Sequence, residues 1–189
     1  MLAYVFWHTA QPTVDPSDYE RLLIRFHEAL GTAAPDGFEW SATFRIPPVP
    51  WLESDNPVYE DWYAVQSSAA LDELDRAAVT AHRQLPHDEV AAVAGAGKGG
   101  LYRLRMGKVN PTVAKRAVWL SKPPVTSYAG FFETMRPVVE ACGGALWGRQ
   151  MVLGPAPEFC LHAAEPQDVP SVTSRVVTLD LVWSGTGES

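Results

Sequence analysis

Apolar positions along this chain alternate between two spacings, one suited to strands and the other to helices. Residues 2–7 form a short run of aromatic and β-branched side chains, which predicts a strand. Pro12 and Pro16 break it, and Asp15 or Ser17 stands where a helix cap belongs. Tyr19, Leu22, Leu23, Phe26 and Leu30 then recur at helical spacing, giving one apolar stripe that Gly31 stops. Strands are predicted over residues 38–46 and 59–65. A second helix follows, capped by Ser67 or Ser68, with Leu71, Leu74, Ala78 and Val79 inward. After a longer connection, residues 101–106 make a fourth strand. The order is βαββαβ.

The order then repeats. Residues 117–121 read as a strand that Pro123-Pro124 ends. Tyr128, Phe131, Phe132, Met135 and Val139 occupy the same relative places as the first helical stripe, without a gap, and Gly143-Gly144 stops the helix. Trp147 to Leu153 runs parallel to Trp40 to Ile46 once about two residues are removed from the preceding turn. Each segment begins with Trp and ends in a Pro-x-Pro corner, Pro48-Val49-Pro50 or Pro155-Ala156-Pro157. Residues 159–163 predict a third strand, 168–173 a short weak helix and 175–183 the last strand. The chain thus divides into two fused ferredoxin-like units, residues 1–108 and 114–189, with a linker at 109–113, able to form one domain. This tandem order resembles the dimeric α/β-barrel superfamily. The resemblance implies an α+β fold in which two antiparallel sheets face one another with helices outside. That superfamily includes cofactor-independent monooxygenases, lactone isomerases, and haem-degrading and chlorite-dismutating enzymes, so fold alone selects no activity.

Composition narrows the class. With 47% apolar and 20% charged residues the chain is globular, and seven Trp supply either core or cavity walls. A net charge of −7 offers no basic face to nucleic acid. The absence of a long apolar span or signal-peptide layout argues against a membrane partner and for a cytoplasmic protein. Cys142 and Cys160 make no disulfide framework. The expected partner is a small molecule, the expected state a pseudo-dimeric monomer or a homodimer, and neither a metal nor a tightly bound organic cofactor is expected.

Strand alternation suggests where a site would lie. It assigns Tyr102, Leu104, Met106, Phe159, Leu161, Ala163, Val177, Leu179, Leu181 and Trp183 to the helix side. The interior then receives Glu158, Cys160, His162, Val176, Thr178, Asp180 and Val182, with Arg103 and Arg105 inside or at a rim. Alternating polar residues can equally mark a solvated face. Glu158-x-Cys160-x-His162 lacks the further ligands a metal needs. Cys160 and His162, about 6–7 Å apart on one strand face, are too distant for a nucleophile–base pair.

Arg149 and Gln150 stand where the first repeat has Ala42 and Thr43, and a guanidinium fork would hold an anion or carbonyl. His8, closing the first strand beside Trp7, could be a base, orient a carbonyl, or be a partly exposed tip. His27 reads as a helix-surface residue. His82 and His87, with Asp88 adjacent, belong to a lid or to ordinary loop polarity. Trp51, Trp62 and Tyr63 are core or cavity wall. The run Gly95-Ala96-Gly97-Lys98-Gly99-Gly100 spells G-x-G-x-x-G, but it follows a helical segment and precedes a strand, the reverse of a dinucleotide site. It also fails as a phosphate loop, and reads as a flexible connector.

The expectation is a small-molecule enzyme, monooxygenase- or isomerase-like, with an apolar or aromatic substrate. His162 or His8 would be the base, and Arg149 or Arg103 would stabilise an enolate-like charge. Gln150, Glu158, Cys160, Asp180 and Trp62 complete the expected ligand contacts. A non-catalytic binding or sensing protein is the rival, and a protein whose tryptophans fill its own cavity the third possibility.

Overall fold

The computed structural model describes residues 1–169 and 174–187. Its elements are β1 (Leu2–Ala10), α1 (Pro16–Gly31), β2 (Phe38–Ile46), β3 (Val58–Val65), α2 (Ser68–Ala78), a 3-10 turn (Ala81–Arg83), α3 (Gln84–Val93), β4 (Ala94–Gly107), β5 (Arg116–Leu120), α4 (Tyr128–Cys142), β6 (Ala145–Arg149), β7 (Phe159–Ala163), β8 (Ser174–Thr178) and β9 (Asp180–Thr186). Local chemistry explains the helix starts. Asp15 accepts from Ser17 N, Ser67 from Ala70 N and Ser127 from Gly130 N, each satisfying a donor at the first turn. Gly143, in the left-handed region at φ 60°, ends α4.

The nine strands among the described residues join one antiparallel sheet in the order β8-β5-β7-β6-β4-β1-β3-β2-β9. The first half reads β4-β1-β3-β2 and the second β8-β5-β7-β6, so both have the same relative order, and the β4–β6 ladder joins them. Residues 175–183, expected as one strand, instead divide at Leu179 between opposite ends of the sheet. β8 pairs with β5, while β9 pairs with β2. Leu179 N donates to Lys115 O at 3.0 Å and fixes the crossover. The sheet must therefore curl until its two ends are one residue apart along the chain, which protects edges otherwise open to pairing.

Other boundaries differ from the sequence reading. The connection after α2 contains α3, and the glycine run is strand rather than flexible connector: Gly97, Gly99 and Gly100 pair with His8, Phe6 and Val5. The Phe6 and Tyr4 rings lie across these glycines. A Cβ at Gly97 would sit 2.5 Å from Phe6 Cζ, and one at Gly99 2.5 Å from Tyr4 Oη. β6 ends at Arg149, not at Leu153: Gln150 N makes one last bond to Leu101 O at 2.7 Å, and Met151 then turns the chain with φ 62°. Asp168 and Val169 are not helical, and the rest of that expected helix, 170–173, lies outside the described residues.

The inner face of the curled sheet is an aromatic core containing Trp7, Trp40, Trp51, Trp62, Trp119, Trp147 and Tyr102. The opposite face carries α1, α2 and α3 over the first half and α4 over the second, each pair of layers with its own apolar cluster. Tyr102, Leu104, Val177, Leu179 and Leu181 pack on the inner side, contrary to the alternation reading, whereas Phe159 and Leu161 face α4 and Cys160 faces inward as expected. Register shifts in β4 between Leu104 and Met106, and in β9 opposite Thr43 and Phe44, reverse the phase along each strand. Met106 and Trp183, beyond those shifts, do return to the helix side. Val176, Thr178 and Asp180, expected inside, are exposed.

Trp119 is fully buried against Trp7, Trp51, Trp62 and Tyr102, with ring centroids 5.3, 5.5, 6.3 and 5.5 Å away. Trp119→Ala is therefore expected to cost about 3–5 kcal/mol in urea unfolding. Val125→Ala, at a position 98% exposed, should stay within about 0.5 kcal/mol of wild type. Equal losses for the two would contradict the assignment of the core.

Candidate functional site

β3 carries two neighbouring carboxylates, and strand geometry sends them to opposite faces of the sheet. Glu60 enters the aromatic interior, where it accepts from Trp7 Nε1 at 2.7 Å and Trp62 Nε1 at 2.8 Å. Burial pushes its carboxyl up to about 7, against the lowering effect of the two indoles. Asp61 faces the helices. It accepts from the Thr43 hydroxyl and, at 2.9 Å, from the Tyr63 hydroxyl. His8 Nε2 and His27 Nε2 lie 3.1 and 3.5 Å from Asp61 Oδ2, within ion-pair distance though out of line for a hydrogen bond. Burial opposes ionisation of Asp61, but the facing histidines, His8 foremost, hold its carboxyl well below the usual carboxylate range. It is a buried anion.

The network reaches further through the second nitrogen of each imidazole. His8 Nδ1 lies 2.7 Å from the Tyr19 hydroxyl, and His27 Nδ1 lies 2.9 Å from Ser41 Oγ. Burial pushes the Tyr19 and Tyr63 hydroxyls well above the ordinary phenol range, so both remain donors at neutral pH. With Tyr19 donating to His8 Nδ1, the His8 proton sits on Nε2 facing Asp61. Six residues from β1, α1, β2 and β3 thus converge on one carboxylate, or on the two imidazoles beside it.

A cavity of about 670 Å³ opens beside this cluster, between the sheet and α1, α2 and α3. Tyr4, Phe6, His8, Asp61 and Tyr63 form its sheet side, with Tyr19 beside His8. Leu23, Phe26, Leu30, Leu74 and Val90 make the apolar walls, and Asp72, Asp75 and His87 also line it. α3 is a full wall of this cavity, held to α1 by an Arg25–Glu89 ion pair at 2.7 Å.

Of the expected catalytic and ligand-contacting residues, His8 alone lines the large cavity; Tyr63, read as core or cavity wall, and His87, read as lid or loop, line it too. His162 lies in the aromatic interior, 4.5 Å from Trp62 between ring centroids, where burial lowers its pKa to about 3. Cys160 and Trp62 share that interior, and burial pushes the Cys160 thiol well above its ordinary value. Arg149 and Glu158 line a second cavity of about 300 Å³ under α4, while Arg103 Nε donates to Gln150 Oε1 at 3.1 Å. Asp180 is exposed at the start of β9.

Sequence reasoning missed Asp61, Tyr19, Thr43, Tyr63 and His27 as a group. His27, expected at the helix surface, is fully buried, stacked on Tyr63 at 5.1 Å. Its signal was present, since Tyr19, Leu23 and His27 stand four residues apart on one helix face. Two carboxylates in an otherwise apolar and aromatic strand were the other signal. His82 Nε2 lies 3.1 Å from Ala29 O and Thr32 O, which it caps at the end of α1. Among the described residues, no group of three or more His, Cys, Asp or Glu side chains is placed to hold a metal ion.

No protein-family model matches the sequence, and no curated protein matches it. Solved structures do. An anthrone oxidase-like protein superposes with a TM-score of 0.55 at 12% identity, over 100% of this chain and 94% of that one. A protein from Lactobacillus acidophilus named "putative monooxygenase" gives 0.64 at 10% identity, over 98% and 96%. One named "putative chlorite dismutase" gives 0.50 at 11% identity, over 96% and 95%. All share the dimeric α/β-barrel fold, and this chain has that fold. No helix among its described residues is long and apolar enough to cross a membrane.

The Glu60 environment sets a pH dependence. Its folded pKa of about 7 exceeds the ordinary 4.5, so between those values the unfolded chain gives up a proton that the folded chain keeps. The Glu60 contribution to stability is therefore expected to fall by at most about 3 kcal/mol as pH rises from about 4.5 to 7. Asp61, shifted the other way, loses its contribution only as pH falls below the ordinary carboxylate range. His162, lowered to about 3, contributes the opposite slope over the same window, so the Glu60 share is read as the stability of wild type minus that of Glu60→Gln in chemical denaturation. This difference should fall as pH rises from about 4.5 to 7, and the same slope in both would rule the assignment out.

Proposed function

We propose that the cavity beside Asp61 is the active site of a cofactor-independent oxygenase acting on an aromatic compound with a carbonyl-activated C–H bond. The observation that carries this reading is a base and its orienting carboxylate, His8 and Asp61, at the polar end of an otherwise apolar and aromatic cavity. A planar substrate would rest against Phe6 and Phe26. His8 would take the proton at Nδ1 through the Tyr19 hydroxyl, and the Asp61 carboxylate would stabilise the imidazolium that forms. Tyr63 and Thr43 hold that carboxylate in place. The resulting carbanion, delocalised into the neighbouring carbonyl, is electron-rich enough to reduce dioxygen itself. Overall, one substrate methylene group and one dioxygen become one carbonyl group and one water, with both electron pairs supplied by the substrate. Asp72 and Asp75, with Asp61 deeper in, favour a substrate without negative charge.

The fold shared with an anthrone oxidase-like protein and a monooxygenase-named protein supports an enzyme of this general kind. We read the chain as a tandem duplication, residues 1–108 and 114–189 joined by 109–113, acting as a pseudo-dimer. The common strand order of the halves supports it. So do Trp40 and Trp147, each third in its strand, which pack against one another at 6.3 Å. On this reading only the first unit keeps the His–Asp chemistry.

Oxygen-electrode assays with anthrone and hydroxylated anthrones as probes test the proposal. One dioxygen should be consumed for each substrate without release of hydrogen peroxide. His8→Gln and Asp61→Asn should each lower kcat by about 10²-fold or more, with circular dichroism confirming that both fold. Saturable binding without turnover would favour a sensing protein instead, and full activity in His8→Gln would exclude His8 as the base.

A further inference from the structure

We infer that the second half carries a separate binding site for a small aromatic carboxylate, in the cavity of about 300 Å³ beneath α4. This cavity shares no lining residue with the larger one. Two guanidinium groups face it, those of Arg105 on β4 and Arg149 on β6. Among the described residues, neither lies within 4 Å of a carboxylate. Arg149 Nη1 donates to Ala156 O at 2.8 Å, which uses one of its donors and fixes the direction of the rest. The single acidic lining residue, Glu158, is engaged by the Tyr128 hydroxyl. Two cations against one anion leave room for one further negative charge.

The rest of the lining is aromatic. Tyr128, Phe132 and Phe159 stand with ring centroids 5.9–6.4 Å apart, as three contiguous walls. Gly148 shapes the floor. A Cβ there would sit 2.9 Å from Arg105 Nε and 3.0 Å from Phe159 Cε1. Glycine thus allows the Arg105 side chain to lie flat on the sheet beside the Phe159 ring. A guanidinium fork matches a carboxylate in two parallel hydrogen bonds, and ring walls select a planar apolar body. The volume lies at the lower end of the range for small-molecule sites, about 300–1,000 Å³, which suits a single ring. The charge count favours a monoanion over phosphate.

Isothermal titration at constant ionic strength with benzoate, benzamide and inorganic phosphate tests the inference. Benzoate should bind saturably, and about tenfold or more tighter than benzamide or phosphate. Arg105→Gln, at an exposed position that leaves the fold intact, should weaken benzoate binding about tenfold. Gly148→Ala should weaken it as well by displacing the same guanidinium. His8→Gln should bind benzoate as wild type does, which separates this site from the large cavity. Absence of benzoate binding, equal affinity for benzamide, full affinity in Arg105→Gln, or loss of affinity in His8→Gln each overturns the inference.

Discussion

The first half of the molecule is organised around one buried negative charge. A carboxylate removed from water is strongly unfavourable unless its lone pairs and its charge are met. Asp61 is met from four elements: His8 on β1, His27 on α1, Thr43 on β2 and Tyr63 on its own strand β3. Those contacts fix how α1 sits on the sheet, and so set one boundary of the cavity between them. Replacing any one partner would leave the others facing an under-compensated charge, so the group acts as a unit.

The adjacent residue, Glu60, shows how the sheet separates two tasks. Its face is packed with tryptophan and forms a core, with the carboxyl held between two indole N–H groups. The other face, bearing Asp61, opens to a cavity roofed by helices. A barrel interior would be the first place to seek a ligand in such a fold. Here tryptophans pack it, and two cavities of opposite charge character lie on the helix side, one against each half.

Much of the fold was legible from residue pattern. The strand at residues 38–46, the strand at 159–163 and the caps Asp15 and Ser67 follow from alternation and short polar side chains at helix starts. What the pattern missed has physical causes. Glycines in β4 signal loop by composition, yet here they make room for the Tyr4 and Phe6 rings. Residues 175–183 look like one strand because local alternation cannot register that the chain changes partner strands at Leu179. A register shift within each of β4 and β9 split the expected helix-side sets, turning Tyr102, Leu104 and Leu181 inward while Met106 and Trp183 stay on the helix side. For the site, His8 was legible as a strand-end histidine, whereas Asp61 was hidden among aromatic neighbours because its role depends on partners distant in sequence. His162 and Cys160 were placed on the correct face, but that face proved to be core.

The arrangement of the first half depends on Asp61 being ionised inside the protein while Glu60, one residue away, titrates near neutrality. Carbon-13 NMR of the selectively labelled side-chain carboxyls, followed from pH 8 down to pH 4, measures both. An ionised Asp61 gives a resonance that stays at the carboxylate position throughout, and the Glu60 resonance titrates near pH 7. An Asp61 signal that moves to the protonated position anywhere in that range would contradict this arrangement.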